Sequence, residues 1–309
     1  MKQHIIITSS NERYGDFVVN HWLKSLKENS RLDKIDLAVI DYGLNPPQTK
    51  ALKKGKLKLV KGTKDGHIVT TRFVDAGRFL KSTKYDQVLF IDGGDIIFQG
   101  DISHLFEQDK DLFRVVKIDM EVMFFEAFIP KNFTSPLKQE LWNVLKNKPV
   151  LNAGLIFAPR GRFIYLCDQV TNLVSSRYKY GPDQIIVNFV LHQDKVKLLN
   201  NKYNFMLGTE SKGFVIRDGA FYKKDGEKIV VVHNAGHDSF LRPIDNFGYG
   251  SEYNQLKHGI YYGRKIAFNA LGLARKLHRL VKGFVIISLL ATFPLFSNRN
   301  ILESLDRFG

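Results

Sequence analysis

Two aspartates, Asp92 and Asp95, directly follow the apolar segment 88–91 and are separated only by Gly93 and Gly94. In open α/β sheets, ligands bind in the crevice outside the carboxyl ends of the strands. Hard divalent cations take oxygen ligands there and share them with substrate phosphates, and glycine lets the backbone turn sharply beside a ligand. The pair therefore predicts a cation site. An ordinary tight turn, with Asp92 capping and Asp95 solvated, is the alternative.

A histidine, His233, ends a second apolar segment at 229–232. A neutral imidazole at a strand end binds cations such as Mn²⁺ alongside carboxylates. A single histidine is more often an ordinary core or surface residue. Its place after a buried strand, behind the two aspartates in the chain, makes it the expected third ligand.

Two further segments carry polar side chains next to apolar ones. Asn152 precedes an Ala-Gly pair, whose small side chains let a ligand lie against the backbone; a plain turn into a strand is the alternative. Asp183 follows Pro182, and both suit the first turn of a helix for purely structural reasons. No capping rule requires Gln184, which makes it the more informative residue of this segment.

Hydrophobic periodicity indicates the elements that position these residues. Strands are predicted at 5–7, 35–40, 57–60, 88–91, 112–116, 155–157 and 229–232. Helices are predicted at 17–26, 68–80, 139–145, 163–174 and 183–191. Strands that are apolar throughout and alternate with helices are typical of a mainly parallel α/β sheet covered on both faces.

Charge divides the chain into a body, 1–250, and a tail, 251–309. Eight of the fifteen excess positive charges lie in the acid-free stretch 253–302. As a helix, 264–282 would carry a basic stripe opposite an apolar one. The apolar run 283–296 is too short to span a bilayer, so an amphipathic helical tail on an anionic membrane surface is expected. Packing on the body or an oligomer interface is the alternative, and the aliphatic character disfavours nucleic acid.

The compartment is predicted from two observations. Cys167 is the single cysteine, so no internal disulfide is possible and nothing indicates an oxidising compartment. The N-terminus runs straight into a strand-like segment and lacks a signal peptide's apolar region and cleavage site. We therefore expect a cytoplasmic protein, peripheral on the inner face of the membrane.

The segment from Tyr85 to Leu105 resembles the D-x-D region of GT-A glycosyltransferases. The likeness is strongest to the retaining family that includes glycogenin and bacterial lipopolysaccharide galactosyl- and glucosyltransferases. An apolar strand leads to the aspartates, an apolar run follows, and Gly100-Asp101-Ile102 matches the family's later Gly-Asp step. The sequence departs from the pattern because two residues, not one, separate the aspartates. Either the loop bulges by one glycine, or only Asp95 keeps the full metal role.

The resemblance extends in order over residues 5–245 and implies further roles. Asn152 and Gly154 would lie on a strand that faces the donor sugar and the acceptor, Asp183 and Gln184 would lie beside the anomeric carbon, and His233 would complete the metal site. Gly236 and Arg242 are the nearest match to the family's diphosphate-binding Gly and Lys-Pro, and Arg242 lies farther along than usual. His237 is an alternative ligand or phosphate contact. Thr8 and Ser9 would meet the nucleotide base. Arg72, Asp75 and Arg78 would lie near the nucleotide, although Asp75 and Arg78 could simply pair with each other.

The resemblance thus implies a GT-A fold, a Mn²⁺ or Mg²⁺ cofactor and a nucleoside-diphosphate sugar, with UDP as the expected nucleotide. The acceptor would be a hydroxyl of a lipid-linked or cell-surface saccharide, and the anomeric configuration would be retained. Two alternatives stay open. A sugar nucleotidyltransferase would need a glycine-rich basic loop after the first strand, of which 8–13 is a poor version. A nucleotide-sugar-binding scaffold on an inactive transferase fold is consistent with the altered aspartate spacing.

Overall fold

The computed structural model describes residues 2–119, 124–210, 212–235 and 242–259, together with 261–263, 265–267, 270 and 273. Its strands are His4–Ser10 (β1), Ile35–Asp41 (β2), Lys58–Lys61 (β3), Gln87–Ile91 (β4), Ile96–Phe98 (β5), Phe113–Lys117 (β6), Leu151–Pro159 (β7), Val196–Leu198 (β8), Phe205–Met206 (β9), Phe214–Arg217 (β10), Ala220–Lys223 (β11), Val231–His233 (β12), Ile244–Asp245 (β13) and Gln255–Leu256 (β14).

Its helices are Glu12–Phe17 (α1), Lys24–Asn29 (α2), Pro46–Lys54 (α3), Ile68–Lys81 (α4), Phe124–Asn132 (α5), Leu137–Leu145 (α6), Arg160–Leu173 (α7) and Pro182–Leu191 (α8). A π-helical stretch, Val18–Leu23, joins α1 to α2, and short 3₁₀ turns occupy Ser103–Phe106 and Asn201–Tyr203. Every strand and helix predicted within residues 1–250 is present, with ends shifted by a few residues.

A seven-stranded sheet in the order β3-β2-β1-β4-β7-β6-β8 forms the centre of the molecule. The pairs among β3, β2, β1 and β4 are parallel, as is the pair of β6 with β8. β7 runs antiparallel to both of its neighbours. The mainly parallel α/β sheet is therefore confirmed, with one strand reversed.

The reversal of β7 places its beginning beside the end of β4. Ile91 pairs with Leu155, and the backbone N–H of Asp92 donates to the carbonyl of Gly154 at 2.9 Å. In a second, three-stranded sheet β12 lies between β5 and β9, and His233 pairs with Ile96. Segments distant in sequence thus meet around the two aspartates.

The central sheet is buried on both faces. On β1, Ile5 and Ile7 belong to the hydrophobic cluster under α4 and α7, whereas Ile6 belongs to the cluster that packs against Val18 and Trp22. Successive strand residues face opposite sides, so a strand covered on both sides must be apolar throughout. This explains the unbroken apolar runs in the sequence.

The folded body continues past residue 250. β14 pairs with β13, and Tyr261, which is 7% exposed, packs against Phe214. The helix predicted over 264–282 lies largely outside the described residues, and the apolar run 283–296 lies entirely outside them. Among the helices that the structure does describe, none has the length and apolar character needed to cross a bilayer.

Candidate active site

A cavity of about 870 Å³ opens at the carboxyl ends of the central strands. This volume lies within the usual range of ligand pockets, about 300–1,000 Å³. Ten of the residues selected from the sequence line it: Ser9, Arg72, Asp92, Asp95, Asn152, Gly154, Asp183, Gln184, His233 and Arg242. The fold thus gathers most of the predicted site into one place.

The two aspartates and the histidine form one cluster. One ligand atom from each of Asp92, Asp95 and His233 lies within 4.8 Å of the others. Nε2 of His233 is 3.6 Å from Oδ2 of Asp92 and 3.5 Å from Oδ1 of Asp95. The other oxygen of each carboxylate contacts an arginine. Arg72 binds Oδ1 of Asp92, and Arg242 donates to Oδ2 of Asp95 at 3.2 Å.

Close neighbours leave no room for a side chain at either glycine of the aspartate loop. A Cβ atom at Gly93 would lie 2.5 Å from Oγ1 of Thr8, and one at Gly94 would lie 2.8 Å from the ring of Tyr14. The loop is therefore held between the end of β1 and α1. In this arrangement both Asp92 and Asp95 lie close to His233, despite the extra residue between them.

Gly154 lies against the cluster from the β7 side. A Cβ atom there would stand 2.5 Å from Oδ2 of Asp92, 2.8 Å from Cε1 of His233 and 2.9 Å from Oδ1 of Asn152. Distances under about 3 Å are far inside van der Waals contact. No side chain fits at this position while the three neighbours keep their places.

Arg72 is buried between two carboxylates. Its Nε donates to the carbonyl of Val69, and its guanidinium lies over the rings of Phe73 and Phe90. Burial would lower the pKa of Arg72, but the charges of Asp92 and Asp183 outweigh burial and raise it. The arginine therefore stays charged and fixes the direction of the Asp92 carboxylate.

Asp183 and Gln184 begin α8 at the edge of the cavity. Asp183 is 4% exposed, and burial raises its pKa to about 6 although the charge of Arg72 opposes the shift. Gln184 accepts a hydrogen bond from the backbone N–H of Ala153 at 3.0 Å and donates to the carbonyl of Leu151. Its amide thus ties α8 to the start of β7, a structural role that the sequence could not indicate.

Asp75, Arg78 and Thr8 do not line the cavity, and the nucleotide contacts expected for them stay predictions. Asp75 is fully buried and accepts hydrogen bonds from Oη of Tyr42 at 2.6 Å and the backbone N–H of Thr63 at 2.9 Å. Arg78 pairs with it at 2.8 Å, which is the alternative that the sequence left open. Thr8 is buried beneath the aspartate loop. Gly236 and His237 lie outside the described residues.

Sequence reasoning missed an aromatic wall and a buried amide. Phe124 and Phe128 stack at 4.5 Å, Tyr180 lies edge-on to Phe128, and all three line the cavity. Asn204 is fully buried and bonded to Nδ1 of His233 at 2.9 Å. Nothing in the sequence separates Asn204 from an ordinary turn residue, because its partners come from other strands.

Comparison with known proteins shows the fold. No family model matches the chain, and no curated protein matches its sequence significantly. The galactosyltransferase LgtC, solved in complex with donor and acceptor sugar analogues, is similar over 80% of this chain and 92% of its own, with 14% identity and a TM-score of 0.52. The bifunctional glycosyltransferase WbbM is similar over 85% of this chain and 50% of its own, with 17% identity and a TM-score of 0.53. The chain has a GT-A fold.

Within this GT-A fold the cluster has the donor set of a divalent-cation site. It offers two carboxylate oxygens and one imidazole nitrogen, which are ligand types that bind divalent cations in proteins. Burial favours the neutral carboxyl of Asp95, but His233 and Arg242 outweigh burial and lower its pKa. Asp95 is therefore ionised at neutral pH, as a cation ligand must be.

Asp183→Asn should raise the stability of this GT-A chain at alkaline pH. The carboxyl has a pKa of about 6 in the folded protein and 3.8 in the unfolded chain. As pH rises from 3.8 to about 6, the unfolded chain loses this proton while the folded protein keeps it. The free energy of unfolding therefore falls over this range and stays lower above it. Asparagine cannot ionise, so we expect a gain of roughly 3 kcal/mol at about pH 8 and less than about 1 kcal/mol at about pH 4.

Thermal denaturation at both pH values measures the difference. Asp168→Asn, on the exposed part of α7, provides the same chemical change outside the cavity and should show no such pH dependence. Equal effects of Asp183→Asn at the two pH values would contradict the argument.

Proposed function

We propose that the protein is a metal-dependent glycosyltransferase. It moves a sugar from a nucleoside-diphosphate sugar, with UDP as the expected nucleotide, to a hydroxyl of a lipid-linked or cell-surface saccharide, with retention of configuration. The observation that carries this proposal is the cluster of Asp92, Asp95 and His233, which lines a cavity of about 870 Å³ together with Asp183. The GT-A fold and the solved LgtC complex with sugar analogues support it.

The charges around the cluster suit a diphosphate leaving group. Mn²⁺ or Mg²⁺ held by Asp92, Asp95 and His233 would neutralise negative charge that develops on the diphosphate. Arg242 adds a guanidinium at the same place and can bind phosphate oxygens in a bidentate manner. Arg72 keeps Asp92 in position from the opposite side. Together these residues stabilise charge in the transition state more than in the ground state.

The sugar and the acceptor would lie on the other side of the cluster. Asn152 and Asp183 line the cavity, as do the three residues of the aromatic wall, Phe124, Phe128 and Tyr180. Aromatic faces with a few polar groups are typical of pockets that orient a small ligand. We therefore place the reacting hydroxyl between Asp183 and this wall.

The tail adds a proposal about location. Its acid-free stretch 253–302 carries eight basic residues, seven of which precede the apolar run 283–296, and this pattern favours binding to an anionic membrane surface on the cytoplasmic side. A lipid-linked acceptor would be available there. An oligomer built through the tail is the competing arrangement.

A screen of nucleotide-sugar hydrolysis and transfer tests the function. We expect turnover of one nucleoside-diphosphate sugar with Mn²⁺ or Mg²⁺ and loss of turnover with a chelator. Undiminished activity in the presence of chelator would contradict the metal-dependent mechanism. Metal-dependent binding without turnover would favour the scaffold, and release of nucleoside triphosphate from the sugar donor on addition of pyrophosphate would favour the nucleotidyltransferase.

A further inference from the structure

A buried chain of hydrogen bonds runs from the cation cluster to the cavity through Asn204. Nδ1 of His233 is 2.9 Å from Oδ1 of Asn204. Nδ2 of Asn204 donates to Oδ1 of Asn152 at 2.9 Å. The same oxygen of Asn152 accepts the backbone N–H of Gly154 at 2.9 Å. His233 is 1% exposed and Asn204 is fully buried, so water does not compete for the bond between them.

One backbone N–H group fixes which atom is the donor and which is the acceptor in each of these three hydrogen bonds. The N–H of Gly154 can only donate, so the atom of Asn152 that it meets must be the amide oxygen. That oxygen can only accept, so Asn204 must face it with the amide nitrogen. The oxygen of Asn204 then faces His233, and the only group that can donate to it is an N–H at Nδ1.

We propose that Asn204 is a positioning residue that holds His233 in the tautomer protonated at Nδ1, with Asn152 setting the orientation of Asn204. This leaves the lone pair of Nε2 directed at Asp92 and Asp95, where a cation ligand is needed. The same bonds connect the cluster to Asn152, which lines the cavity. The tautomer of His233 is a property of the protein alone. Only a contact of Asn152 with a bound sugar rests on the proposed function.

The chain of bonds acts against a strong local preference. Two carboxylate oxygens lie 3.5 and 3.6 Å from Nε2, and without other contacts they would draw the imidazole proton to that nitrogen. An Nε2–H group cannot bind a cation. The bond to Asn204 therefore keeps the ligand atom available before any cation arrives.

Nitrogen-15 NMR of labelled histidine in the metal-free protein tests the tautomer directly. The spectrum is taken in buffer alkaline enough to keep the imidazole neutral, and His233→Gln assigns the signals. We expect the wild type to show a protonated-type shift at Nδ1 and an unprotonated-type shift at Nε2. A wild-type spectrum dominated by Nε2–H would overturn the proposal.

Substitutions of Asn152 and Asn204 distinguish a positioning role from a general loss of stability. Asn152→Ala removes the residue that orients Asn204 without touching His233, so the amide can rotate and the proton should shift toward Nε2. Asn204→Asp loses the donor to Asn152 but keeps an acceptor for Nδ1–H, so it should retain the wild-type tautomer, whereas Asn204→Leu should lose it. An unchanged tautomer of His233 in both Asn152→Ala and Asn204→Leu would contradict the proposed role of this hydrogen-bond chain.

Binding of Mn²⁺ alone, followed by electron paramagnetic resonance, gives a second readout. Loss of a residue that orients a metal ligand costs about 10–100-fold in metal affinity, which is the loss expected for Asn204→Leu. Asn204→Asp should stay near the wild type. Asn200→Ala, which alters a turn-capping asparagine of the same segment, is the matched control and should bind normally; equal losses in all three variants would contradict the proposal. These readouts need no substrate, so the proposed transferase function can fail while the tautomer result stands.

Discussion

Asp95→Asn is expected to reduce sugar transfer by about a thousandfold, because a metal's stabilisation of developing charge is worth several kcal/mol. The carboxylate of Asp95 gives one oxygen to the cluster with His233 and the other to Arg242. Asparagine keeps the size of the side chain but loses the charge that both partners and the cation need. The rate of transfer in saturating Mn²⁺, together with the affinity for Mn²⁺ alone, measures the effect.

Asp101→Asn is the matched control for this substitution. Asp101 lies six residues farther along and accepts hydrogen bonds from Ser103 and Arg31, outside the cavity. Its variant should transfer sugar like the wild type. If Asp95→Asn kept wild-type activity, the cation cluster would not be part of the catalytic machinery, and the proposed function would fail with it.

Local chemistry was enough to select the three side chains that the structure brings into one cluster. Asp92 and Asp95 follow a buried strand, and His233 ends another; carboxylates and imidazoles at strand ends indicate a cation site whatever the exact topology. The altered spacing left it open whether both aspartates reach the cluster. The answer depends on Thr8 and Tyr14, which hold the two glycines of the loop and are distant in sequence.

The sequence could not predict roles that depend on which strands become neighbours. Gln184 attracted attention because no cap requires it, but its amide bonds the backbone of β7. Asp75 looked available on α4, yet it is fully buried and accepts hydrogen bonds from Tyr42 and Thr63. Asn204 went unnoticed because its partners, His233 and Asn152, come from two other strands. Hydrophobic periodicity gives the strands but not the reversal of β7 that brings these groups together.

Gly154→Ala should distort the cation site through a single methyl group. The new Cβ would meet Oδ2 of Asp92 at 2.5 Å, Cε1 of His233 at 2.8 Å and Oδ1 of Asn152 at 2.9 Å. Relief of these contacts must move at least one ligand, and a displacement of about 1 Å in a catalytic arrangement costs roughly a hundredfold in rate. We therefore expect a loss of transfer of about a hundredfold or more, with weakened binding of Mn²⁺.

Gly161→Ala controls for the loss of a glycine near the end of the same strand. Gly161 lies in the first turn of α7, where an added Cβ has no neighbour within 4 Å. Alanine is up to about 1 kcal/mol better than glycine inside a helix, so this variant should be active and at least as stable as the wild type. The contrast isolates the steric argument, because both substitutions add one methyl group. Normal Mn²⁺ affinity in Gly154→Ala would show that the cluster tolerates the displacement and does not need the close approach of β7.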